Sequence, residues 1–262
     1  MSDCSRVFAI LTGRPVALAS SAGAAASWTA MSEPVAGTLP TVLEDFSREV
    51  SRRVSAGSRD IQTILFHGLE RARESLANTP NQLPALKQAA DDANSHIRQV
   101  AAEQIQYAGM GSTLSGICLM GGRYWVVNAG DSRVYRYRNG VLKPLSNDDT
   151  LAARAVRSGA MTFEQAARSR DSHILTNYLG AAEFSLAVDS GPELRDGDSL
   201  LVCSDVLYDM VDDDTLARCL QQFNATAVSC AEQAGHLLAL ANECGGLDNI
   251  SLILMRVTNE RG

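Results

Sequence analysis

The chain has 262 residues, 45% of them hydrophobic, enough to bury a full core as one large domain or two small ones. Its formal net charge of −7 excludes the basic face that a nucleic-acid binder carries. No stretch approaches the roughly 18 uncharged apolar residues of a membrane helix. The apolar opening is broken by Thr12-Gly13-Arg14-Pro15 and has no basic residue before Arg6, which argues against a signal peptide. The expected location is the cytoplasm.

In chain order, "RVFAIL" and "VALAS" on either side of "TGRP" predict a strand–turn–strand hairpin over 6–20. Three amphipathic helices are expected next, over 41–54, 59–78 and 85–105. In the last, Leu86, Ala90, Ala93, Ile97 and Val100 share one face. After Tyr107 the texture changes to strands over 112–120, 123–130 and 132–145, separated by Gly-Gly and Asn-Gly turns. Helical spacing returns over 150–169. Strands follow over 184–191 and 198–204, helices over 213–223 and 226–244, and a closing strand over 250–257. Blocks of helices and meandering strands indicate an α+β class, with two antiparallel sheets packed together and helices outside.

Six cysteines are scattered without a Cys-x-x-Cys pair, and several lie in apolar runs, so buried free thiols in a reducing compartment are expected. His67, His96 and His236 lie on expected helices as surface or packing residues, whereas His173 sits where a partner could touch it. There is no Gly-x-Ser-x-Gly elbow, and "GMGS" precedes a strand and lacks the lysine of a phosphate loop. Trp28 and Trp125 read as core; Arg14, Arg123 and Arg133 as solvated surface, with phosphate contact the other reading.

Acids punctuate the strands. "YWVVNAGDSR" ends at Asp131, "LLVCSD" ends at Asp205 with Asp209 close behind, and Asp248 stands just before the last strand. Carboxylates gathered at sheet ends suit a hard divalent cation such as Mg²⁺ or Mn²⁺. Taken singly, each Asp would more simply cap a turn or helix.

"GMGSTLSGICLMGGRYWVVNAGDSRVYRYRNGVLKPLSNDDT", "GDSLLVCSDVLYDMVDDDTL" and "LDNISLILMRV" closely resemble, in order and spacing, the motifs of bacterial PP2C (PPM) metal-dependent serine/threonine protein phosphatases. The resemblance spans about residues 85–257 and includes a flap-like insert over about 146–181. It implies a single domain over 1–262, a β-sandwich flanked by helices (α-β-β-α), and a binuclear Mg²⁺/Mn²⁺ site at one edge. Asp205 and Asp248 match metal-binding aspartates of the main site. Asp131 and Asp209 match acids that, with Asp205, hold a further, weaker ion.

The family's N-terminal acids have no obvious match. Aligning "VALASSAGAAAS" with the family's Asp-Gly-x-Gly-Gly element puts Ser20 and Ser21 at its Asp-Gly, and aligning "CSRVFAIL" with its earlier Glu-Asp pair puts Arg6 there. Val206 replaces the glycine after Asp205. A serine hydroxyl brings no charge to hold two dications together. No catalytic residue is assigned, and one weakly bound Mg²⁺ or Mn²⁺, or none, is expected. The resemblance then implies a pseudophosphatase that binds a phosphoprotein, kinase or assembly partner, with neither nucleic acid nor membrane. The other reading is an active, divergent metal-dependent phosphatase.

Overall fold

The computed structural model describes residues 6–14 as backbone, and 82–120, 123–226, 228–246 and 248–257. Helices expected over 41–54 and 59–78, together with Cys4, Ser20, Ser21, Trp28 and His67, lie outside these residues. The strands form two four-stranded antiparallel sheets. The first runs β1 (Arg6–Arg14), β2 (Gly111–Met120), β3 (Arg123–Ala129), β6 (Ala187–Ser190). The second runs β5 (Val141–Pro144), β4 (Arg133–Arg138), β7 (Ser199–Cys203), β8 (Leu252–Arg256). The α+β sandwich read from the sequence is therefore present.

Period-two alternation decides which side chain goes where. Ile117, Tyr124, Val126, Val134, Leu200 and Val202 meet between the sheets. The alternate positions of the second sheet, Tyr135, Tyr137, Leu201 and Cys203, face outward. There they are covered by α4 (Asp205–Met210), α5 (Asp213–Asn224) and α6 (Cys230–Glu243) through Leu207, Leu216, Leu220 and Leu237. Central β7 is buried at all five positions, which explains its unbroken apolar run. Helix α1 (Gln82–Glu103) buries Ala90, Ala93, Ile97 and Val100, the face expected from the spacing. Its Asn94 accepts from the Gly180 amide at 2.6 Å and donates to the Ala181 carbonyl, fixing the helix to the chain that leaves the flap.

The turn between β4 and β5 is the expected hairpin: Asn139 and Gly140 both take positive φ, 51° and 84°, as a tight primed turn requires. The opening differs from expectation. β1 continues without a turn through Thr12, Gly13 and Arg14, which pair with Thr113, Ser112 and Gly111. Pairing with β2 supplies this stretch with ladder hydrogen bonds that a Thr12–Pro15 turn would forgo.

Of the five described cysteines, all are free; Cys118 and Cys203 are buried as expected, but Cys244 is exposed. Burial pushes the Cys118 thiol up to about 12, so it packs as an inert apolar group. Trp125 is half-buried.

One edge collects chain ends from both sheets. β3 leaves the first sheet at Ala129 and β4 joins the second at Arg133, so Gly130-Asp131-Ser132 is the corner between sheets. The registers bring the end of β1, the start of β2, the end of β7 and the start of β8 to this same edge.

At the opposite edge Arg138 grips the buried Asp198 carboxylate through Nε and Nη2, each at 2.6 Å. Burial alone would raise the Asp198 pKa. The Arg138 fork and the Arg195 amide outweigh it and hold the group below its ordinary value of 3.8. A depressed carboxylate stabilises the fold above the ordinary value and loses that contribution as pH falls through the depressed one. The stability gap between wild type and Asp198→Asn should therefore be full near neutral pH and shrink below pH 3.8, as urea midpoints across that range would show.

Gly130 has φ +117°, and a Cβ there would stand 2.5 Å from Thr113 Cγ2. Gly130→Ala is expected to cost at least about 1–3 kcal/mol in backbone strain before the clash is counted, measured as a lowered denaturation midpoint.

Candidate functional site

The corner is held from three directions. Asn128 accepts a hydrogen bond from Ser115 and donates to the carbonyls of Gly130 (3.1 Å) and Asn147 (2.9 Å). Ser115 also bonds the Ser132 carbonyl at 2.7 Å, and Thr113 shares a 2.8 Å hydrogen bond with the Ser132 hydroxyl. Tyr208, on α4, donates to the Asp131 carbonyl at 2.7 Å. Asp131 itself is buried, as expected of a residue pinned inside this frame.

Arg133 is neither solvated surface nor a free phosphate ligand. Its guanidinium forks onto Asp148, with Nη2 to Oδ2 at 2.7 Å, donates to Tyr135 at 3.0 Å, and stacks 3.7 Å over the Tyr208 ring. Tyr135 in turn donates to Asp213 at 3.2 Å. Burial pushes the Tyr135 and Tyr208 hydroxyls far above the usual phenol range, so both remain protonated donors. Asp212 and Asp213 have structural partners: Asp212 caps α5 by accepting from the Thr215 amide at 2.8 Å, and Asp213 accepts from the tyrosine.

Ser204 ends β7 by exchanging backbone and side-chain hydrogen bonds with Ser251, at 2.9 and 3.0 Å. Asp205 then opens α4, a short helix that the sequence reading did not anticipate. Val206 is its second residue and is buried, and positive φ among the non-glycine described residues is confined to Asn139. The family's glycine at this position is thus replaced without left-handed backbone; Val206 tells of packing and does not by itself dismantle the site.

The structure brings together Asp205, Asp209 and a residue that no sequence spacing pointed to, His173. One ligand atom from each lies within 4.8 Å of the others, and His173 Nδ1 stands 4.0 Å from Asp209 Oδ2. Asp205 is nine-tenths buried, while Asp209 and His173 are open to solvent. Asp131 and Asp248 are not part of this cluster. Asp248 is exposed, and its carboxylate accepts from the Asn249 amide at 2.7 Å.

Backbone register locates the two ends of β1. Arg6 pairs with Leu119, at the sheet end remote from Asp131, roughly 26 Å along β1 from Arg14. The β1 end that reaches the acid edge consists of Thr12, Gly13 and Arg14. No carboxylate arrives with it. The sequence reading expects Ser20 and Ser21 at the family's Asp-Gly strand end, and the strand end that reaches this edge is Thr12-Gly13-Arg14.

No family model matches the chain. Relatives are nonetheless clear. It is 33% identical over 177 residues to the serine/threonine protein phosphatase PstP of Mycobacterium tuberculosis, covering 68% of this chain and spanning 33% of PstP. The S. agalactiae serine/threonine phosphatase structure matches at 30% identity with a TM-score of 0.60, over 66% of this chain and 70% of that one. The PstP catalytic domain in complex with two manganese ions shares the fold over 98% of this chain and 93% of its own, at 24% identity and a TM-score of 0.63. The fold, the ordered motifs and these likenesses agree, and the chain belongs to the PP2C-type serine/threonine phosphatase family.

Proposed function

We propose that this chain is a divergent Mg²⁺- or Mn²⁺-dependent phosphatase that acts on phosphoserine or phosphothreonine in proteins. The observation that carries the reading is the convergence of Asp131, Asp205, Asp209 and Asp248 on one sandwich edge in a member of this family. The donor chemistry fits a hard divalent ion: two carboxylates and an imidazole within a few ångströms, one carboxylate nearly buried. Asp205 and Asp209 would hold such an ion, and Asp131 and Asp248 add negative charge along the same edge. A divalent ion there supplies a Lewis acid for phosphoryl oxygens and an activated water. The chain's other residues keep the frame still. Arg133 is neutralised by Asp148, and Tyr208 ties α4 to the corner.

The relatives' names as phosphatases support this reading over the pseudophosphatase that the N-terminal alignment suggested. That second reading keeps one specific support: the β1 end at the acid edge brings no carboxylate. In it the domain binds a phosphoprotein or kinase without hydrolysis. Among the described residues no helix is long and apolar enough to cross a membrane.

Hydrolysis of a phosphothreonine peptide in Mn²⁺ separates the two. The phosphatase reading expects turnover that Asp205→Ala lowers by about two orders of magnitude or more. A wild-type protein that captures the phosphopeptide yet releases no phosphate above the metal-only background would establish the binder instead.

A further inference from the structure

We propose that the inter-sheet face of β4 and β5, away from the acid edge, carries a binding site for a phosphate-type oxyanion, formed by Arg136, Lys143 and Tyr124. The proposal stands apart from the metal reading, since none of these residues belongs to the acid edge. Register puts the three on one face. Arg136 follows Val134 by two residues on β4 and pairs with Leu200, so it shares the face on which those two meet Tyr124 between the sheets. Lys143 lies directly opposite Arg136 on β5. The flap, with its helices α2 (Leu151–Arg157) and α3 (Phe163–Ala167), begins only beyond β5. Arg136 also stands roughly 10 Å along β4 from Arg133, the β4 residue at the acid edge.

The charge here is unbalanced. Two cations directly opposite each other on neighbouring strands repel. Arg138 shares their face, and the buried carboxylate near both arginines, Asp198, is already taken by the Arg138 fork and the Arg195 amide. Arg136 Nε is buried without a hydrogen-bond partner among the described residues, and so is the hydroxyl of Tyr124, a residue only 2% exposed. Burial raises that hydroxyl above its ordinary value and the Arg136 charge offsets part of the rise, so it stays a protonated donor. Gly191 leaves no room for a Cβ against the ring, and its amide donates to the Tyr124 carbonyl at 2.9 Å, which holds the phenol in place. Buried donors without acceptors are costly. A guanidinium, an ammonium and a phenol drawn from two sheets supply the donors that a tetrahedral oxyanion accepts. Arg136 is half-buried and Lys143 exposed, so the site opens to solvent, and rotation of the long Arg136 side chain uncovers the phenol.

Calorimetric titration of the full chain with inorganic phosphate, in chelator so that no ion occupies the acid edge, tests this. Wild type should bind phosphate saturably at one site. Arg136→Gln should weaken binding about tenfold or more, and Tyr124→Phe about two- to tenfold. Lys143→Gln, a change at an exposed position, should also weaken it while leaving the ligand-free urea midpoint in place. Asp205→Ala should bind phosphate as wild type does, which separates this site from the acid edge. Phosphate should raise the unfolding midpoint of wild type and not that of Arg136→Gln, so the fold of the variant is checked in the same measurement. A phosphothreonine peptide that binds as tightly as phosphate would assign the site to a phosphorylated side chain, and one that fails to bind would assign it to free phosphate. Wild type that shows no saturable binding, or binding that Arg136→Gln and Lys143→Gln both leave unchanged, overturns the proposal, whatever the protein does with Mn²⁺.

Discussion

Every feature of the acid edge depends on the corner at Gly130-Asp131-Ser132, where the chain leaves one sheet and joins the other. A left-handed glycine backbone packed directly on Thr113 makes that change of sheet possible in three residues. The polar groups the corner exposes are then met by Asn128, Ser115, Thr113 and Tyr208. Buried backbone groups must find partners, and here the partners come from β2, β3 and α4 at once. The corner consequently fixes where the two sheets meet, and α4, carrying Asp205 and Asp209, is located relative to that meeting point.

Electrostatics sets the level of function the edge can support. Carboxylates at close quarters repel one another and are relieved by a cation. Among the described residues, Asp205 and Asp209 lie close together at this edge, with His173 beside them. A pair of neighbouring ions asks for more, and β1 brings Thr12, Gly13 and Arg14. Arg133 does not tip this balance, because its charge is matched by Asp148 and its face lies over Tyr208. Among the described residues, the end of β1 adds no carboxylate to this edge.

Much of this was legible in the sequence where one physical rule dominated. The unbroken apolar run of β7 announced a strand buried on both faces, the Asn139-Gly140 pair announced a primed turn, and the 3.6-residue spacing from Ala90 to Val100 announced the buried face of α1. What escaped was set by distant partners. Thr12-Gly13-Arg14 looks like a turn in isolation and becomes strand because β2 lies beside it. The six residues of α4 are too few to show a helical period. His173 joins Asp205 and Asp209 through the folding of the flap, and no local spacing encodes that proximity. Arg133 was misjudged for the same reason, its partner Asp148 being a neighbour in space across the β4–β5 hairpin.

The flap is a closed excursion with both feet bolted to the sandwich. Asp149 exchanges hydrogen bonds with Gly130 at one foot, and Leu179 exchanges a backbone pair with Ser112 at the other. Asn177 reaches back to the Asp149 carboxylate and joins the two feet to each other. Such a staple lets the span between them be rewritten in length and composition without disturbing strand register. The face that the flap presents can therefore vary while the two-sheet sandwich beneath it keeps its pairing.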